Sequence, residues 1–139
     1  MTLSADFAAA HRRHWQDAEL LFRSSRLGNA DHLYGLSAEC GLKAVMERLG
    51  MPVDATGRPP KEYRTHVQDL WPQFEEFASR LGGARCAEDL PAGSPFADWS
   101  HHHRYARGGH SGENAVSRHR NAADGIRRMV QAAEMDETP

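Results

Sequence analysis

Apolar residues recur at steps of three and four along most of this chain, and no stretch alternates at steps of two. That periodicity confines it to amphipathic helices. Phe7, His11, Trp15 with His14, Ala18, and Leu21 with Phe22 form the first such run. The spacing predicts a helix over about Ser4 to Arg26, with Ser4 as N-cap, Asp6 in the first turn and Gly28 as the stop. A second helix, about Ala30 to Leu49, is expected to be capped by Asn29 and ended by Gly50 and Pro52. Its buried side reads as Leu33, Leu36, Cys40, Ala44 and Val45, and Leu42, Met46 and Leu49 widen the apolar arc, as in a helix packed on several sides.

Pro52 to Pro60 is read as a loop. Thr65-His66-Val67-Gln68 has the pattern of a capping box opening a third helix, with Val67, Leu70, Trp71, Phe74, Phe77 and Leu81 as its stripe. Pro72 predicts a kink or restart in that helix, and Gly82-Gly83 its end. An irregular connector from Ala84 to Pro95 leads to a short helix around Trp99. Ser111 is the expected cap of the last helix, whose stripe of Val116, His119, Ala123, Ile126, Val130 and Ala133 runs to about Glu134. The acidic tail from Met135 to Pro139 is expected to fray. The expectation is an all-α bundle of four main helices plus a short helix before the last, one domain over residues 1–139. Trp15, Leu36, Cys40, Phe74, Trp99 and Ile126 are expected to be buried.

The net charge of −2 excludes a global basic field that would by itself demand nucleic acid. Arginines nevertheless gather in the first and last segments, and Arg12, Arg13 and Arg118 are the candidates for contacting a phosphate backbone. The two cysteines have no paired spacing, no apolar run is long enough to cross a membrane, and no signal-peptide pattern opens the chain. A cytoplasmic, soluble protein is expected.

Chemistry is concentrated in one stretch. Residues 97 to 110 hold four of the nine histidines, two arginines, Trp99 and Tyr105. Neighbouring helical positions point about 100° apart, so His101, His102 and His103 cannot all chelate one ion from a helix. No metal and no cofactor is expected. Arg104 and His110 are the candidate chemical pair. Read as a metal-free ribonuclease, His110 exchanges a proton with the ribose 2′-OH or the leaving oxygen, while Arg104 stabilises phosphate charge. His103, Tyr105 and Arg107 would support them. Glu39 and Lys43, one turn apart, read either as an exposed pair or as an inward carboxylate needing a buried cation, which Arg104 would supply.

Two stretches carry a family resemblance: Ala30 to Lys43 (ADHLYGLSAECGLK) and Trp99 to Tyr105 (WSHHHRY). With the order of helices, they make the chain similar to HEPN-domain proteins, helical bundles of prokaryotic toxin–antitoxin, defence and nucleotidyltransferase-associated systems. Ribonuclease members carry an Arg followed closely by a His, and Arg104 and His110, with five residues between them, match that spacing. The residue after the Arg is commonly polar in active members, whereas here it is Tyr105. The resemblance implies a homodimer that brings two Arg104–His110 pairs into one cleft, acting on RNA, with a cognate antitoxin or a nucleotidyltransferase-type protein as partner. The alternative is a non-catalytic helical module binding a protein or nucleotide, with Arg104 serving structure.

Overall fold

A computed structural model describes residues 4–81, 90–91, 93–100 and 112–135. Four helices appear in the order α1 (Phe7–Arg23), α2 (Leu27–Arg48), α3 (Val67–Arg80) and α4 (Glu113–Met135), with a 3₁₀ turn at Lys61–Tyr63. No strand occurs among the described residues, so the all-α expectation holds. Nor is any helix among them long and apolar enough to cross a membrane. The central helix is α2, which packs on α1, α3 and α4. The short helix expected in the Trp99 stretch lies mostly outside the described residues, and residues 95–98 before it form a turn.

Boundaries shift where a tertiary contact intervenes. α1 begins after Asp6, not Ser4, and the Ala9 amide donates to Asp6 Oδ1 at 3.0 Å. The chain before Asp6 is held elsewhere, because the Ala5 amide donates to Thr56 O at 2.6 Å, so the helix starts only past that tie. At its other end α1 stops at Ser24 rather than Gly28. The Ser25 amide donates to Phe22 O and the Arg26 amide to Leu21 O, while Ser25 takes φ of 60°. This is a Schellman ending with serine where glycine is usual. Gly28 and Asn29 consequently lie inside the first turn of α2, and Asn29 caps nothing. Left-handed backbone costs a residue with a Cβ about 1 kcal/mol, so Ser25→Gly is expected to raise unfolding stability by about that amount. A urea-unfolding midpoint no higher than wild type would refute this.

The third helix also departs from its sequence pattern. His66, not Thr65, is the N-cap residue, and no side chain caps the helix. The Thr65 hydroxyl instead donates to Gln73 Oε1 at 3.1 Å, and Gln73 Nε2 donates to Glu62 O at 2.9 Å. Pro72 sits inside a helix that continues to Arg80 without a restart. It removes one backbone hydrogen bond, while Leu70, Trp71, Phe74 and Phe77 around it are all buried and hold the helix in place.

One buried cluster joins the four helices. Phe74, Trp99 and Ile126 are buried as expected, but Trp15, Leu36 and Cys40 are only half-buried. The deep side of α2 is lined by Ala30, Tyr34, Gly35, Ser37, Ala38, Gly41 and Leu42 rather than by Leu33, Leu36 and Cys40. Close approach explains the choice. A Cβ on Gly41 would overlap the His11 ring and Ile126 Cγ2, and one on Gly35 would overlap the Trp99 indole.

Candidate functional site

Asp31 lies in the first turns of α2 yet is only 2% exposed, and His119 on α4 is only 1% exposed. Nδ1 of His119 faces Asp31 Oδ1 at 2.5 Å. Its other nitrogen, Nε2, faces Asp98 Oδ1 at 2.8 Å, and Asp98 Oδ2 accepts from Arg118 at 2.7 Å. Asp98 comes from the 95–98 turn, so three separate segments meet at one imidazole. The ring of Phe96 stacks on His119 with centroids 5.1 Å apart and planes 18° apart. Beside it the Trp99 indole fills the space over Gly35, donates through Nε1 to Asp31 O at 2.9 Å, and stacks with His32.

Proton counting fixes the state of this cluster. A neutral imidazole has one N–H and one lone pair, whereas here both nitrogens face carboxylate oxygens. His119 is therefore held as imidazolium. Burial works to strip its proton, but the hydrogen bonds and charges of Asp31 and Asp98 outweigh burial, and its pKa is raised above 6.5. Arg118 first, then His119, hold the Asp98 carboxyl down to about 2. With both N–H groups engaged, His119 has no lone pair to take a proton from a substrate. Its work is to fasten the 95–98 turn to α2 and α4.

Glu39 is half-buried on α2, and its oxygens face Lys43 Nζ at 3.6 Å and His66 Nδ1 at 3.1 Å. Lys43 is itself buried, so the pair is not the exposed surface couple: Glu39 is the inward carboxylate, and Lys43 is a buried cation that meets it. The expected contact of Glu39 with Arg104 falls outside the described residues, as do His103, Arg104, Tyr105, Arg107, His110 and the His101–His103 run. Among the described residues, no group of three or more His, Cys, Asp or Glu side chains could hold a metal ion.

The three arginines expected along a nucleic-acid path do not share a patch. Arg118 is near the start of α4, bound to Asp98. Arg12 is paired with Glu134 at 3.0 Å near the other end of α4, about 24 Å of helix away. Arg13 is exposed on α1. A further cation, Arg120, makes a two-pronged contact with Glu19 at 2.7 and 3.0 Å, to which the Tyr34 hydroxyl also donates at 2.7 Å. That triad ties α4, α1 and α2 together. Compared with known proteins, the chain matches no family model, no curated protein and no solved structure.

Sequence reasoning placed His119 in an apolar stripe and passed over Asp31 and Asp98. One signal was present. Stepping back from Leu42 through Ala38 and Tyr34 by helical intervals lands on Asp31, an acidic residue on the deep face of α2. A carboxylate there requires a buried cation or donor. Which residue answers it is not a local property, because His119 lies 88 positions away.

A groove of about 250 Å³ separates α1 from α4, lined by His11, Trp15, Gln16, Arg127 and Val130 with the Arg12–Glu134 pair beside it. His11 is fixed from the opposite side, its Nδ1 donating to Ser37 O at 2.7 Å while the Ser37 hydroxyl donates to His11 O at 3.0 Å. Burial, the largest influence, lowers the His11 pKa, so this imidazole is neutral. Among the described residues, His119 and His11 differ in charge state for one reason: two carboxylates are hydrogen-bonded to His119, and none to His11.

Proposed function

We propose that this chain is a HEPN-like, metal-independent endoribonuclease of a toxin or defence system, with Arg104 and His110 as its reacting pair. His110 moves a proton between the ribose 2′-OH or the leaving oxygen and water, and Arg104 stabilises the charge that builds on the phosphate. The RNA's own 2′-OH is the nucleophile, so no protein nucleophile is needed. One Arg–His pair supplies either acid or base, and a two-fold dimer supplies both. A cognate antitoxin or nucleotidyltransferase-type protein is the partner this reading implies.

The observation that supports it best is the tie at Asp98. Arg104 and His110 fall between residue 98 and α4, and Asp98 is bound by both Arg118 and His119 of that helix. That cluster fastens the turn before the stretch to the helix after it. Buried ion pairs contribute little net stability but can select one arrangement, and a phosphodiesterase needs its groups held in register.

Incubating the purified protein with total RNA in EDTA tests the proposal. Cleavage is expected in the wild type and should fall at least ~100-fold in His110→Ala and in Arg104→Ala. Circular dichroism and unfolding midpoints should match the wild type in both variants. Intact RNA after incubation with a folded wild-type dimer would overturn the reading, and so would cleavage that survives His110→Ala.

A further inference from the structure

We propose that His119 is a proton-operated latch: as imidazolium it clasps Asp31 and Asp98 at once, and when it gives up one proton it releases Asp98 and with it the 95–98 turn. The inference follows from the donors available and is independent of any reaction in the stretch that follows. Two carboxylate oxygens, on α2 and on the turn, each face a ring nitrogen at hydrogen-bond distance. A neutral ring can satisfy only one of them, and the lone pair left on the other nitrogen would confront a carboxylate.

The identity of the released partner is set by exposure. The Asp31 side chain is almost wholly buried, so water cannot replace His119 there without opening the core. Asp98 has a 47% exposed side chain, and Arg118 beside it is also exposed, so water can take over the lost contact. The neutral ring therefore keeps Nδ1–H on Asp31 and turns a bare Nε2 toward Asp98. Among the described residues, the charged groups around this ring are Asp31 from α2, Asp98 from the turn, and Arg118 from α4, which acts through Asp98. Phe96, from the same turn, covers the ring face and carries no charge.

The direction of the pH effect follows from the raised proton affinity of the latched ring. Latching is strongest below the pKa of the released ring, which still faces Asp31, and is lost as pH rises through the higher value of the latched state. Between those limits the closed-to-open ratio falls tenfold per pH unit, and above them it levels.

Hydrogen exchange across roughly pH 6 to 9 reads this out in the full chain, with the His119 ring followed by NMR. Two reporters sit on the latch: the Trp99 amide, which donates to Phe96 O at 2.9 Å, and the Trp99 indole N–H on Asp31 O. After correction for intrinsic base catalysis, protection of the Trp99 amide is expected to fall about tenfold as His119 titrates. Helical amides at Leu42 and Ile126 should hold theirs. The Asp98→Asn variant distinguishes a latch from general loosening. Its amide can accept from the imidazolium or, turned over, donate to the neutral ring, so Trp99 protection should become independent of pH. Three results would each overturn the proposal: a His119 that does not titrate in this range, titration without loss of Trp99 protection, or the same loss in Asp98→Asn.

Discussion

Replacing Asp31 with alanine is expected to cost about 4 kcal/mol of unfolding free energy, among the largest effects of any single change here. Both partners are buried, Asp31 at 2% and His119 at 1% exposure, so water cannot stand in for the lost carboxylate. The imidazolium would be left in the core with one charged partner, and it must either stay partly unpaired or shed its proton and lose Asp98 as well. Asp31→Asn should cost less, because an amide oxygen still accepts from Nδ1. The Trp99 indole bond survives in either variant, since it runs to the Asp31 backbone oxygen. The measurement is urea unfolding at neutral pH, read as a lower midpoint at unchanged slope. A loss below about 1 kcal/mol would mean that the cluster does not carry the interaction assigned to it.

Trp99→Ala should destabilise the fold by a comparable amount, about 4 kcal/mol, through the cavity it leaves. The indole is buried, and Gly35 is the residue on α2 that makes room for it. Its partners are His32 stacked on one side and the Asp31 carbonyl at its N–H. Gly35, which faces the indole from α2, has no side chain to swing into the vacated space. Gly35→Ala approaches the same contact from the other side: its Cβ would overlap Trp99 ring atoms Cε2, Cζ2 and Nε1. Alanine gains about 1 kcal/mol in helix propensity over glycine, yet the overlap should make the variant less stable. Thermal unfolding of both variants decides the point. A Gly35→Ala protein as stable as wild type would show that the indole is not seated there.

The candidate site divides along the same line as the fold. Arg104 and His110 were singled out from composition and spacing, because a dense run of arginine and histidine is visible without any fold, and they lie outside the described residues. The Glu39–Lys43 pair was legible too, since one turn of helix brings the two together, and an inward Glu39 was one of two readings; that Lys43 is a buried cation meeting it, and the contact with His66, were not. The Asp31–His119–Asp98 cluster was not read at all. Its members sit in three segments, and each looks ordinary in its own: a helix-start aspartate, a stripe histidine and a turn aspartate.

What the sequence by itself determined is the number, order and approximate extent of the helices. Helix formation depends on the phase of apolar residues over neighbouring turns, and that phase is local. Tertiary structure decided the ends and the deep faces. α1 starts at Phe7 because Ala5 is tied to Thr56, a contact spanning about 50 residues. α2 buries Gly35, Ala38 and Gly41 in preference to Leu33, Leu36 and Cys40, because a Trp99 indole and a His11 imidazole must come against its backbone. Hydrophobicity ranks residues by what they gain on leaving water, whereas the distance between packed elements ranks them by what fits. Charge state was likewise a tertiary decision. His11 and His119 both lie buried in apolar stripes, and only the carboxylates brought from α2 and the 95–98 turn make one of them a cation.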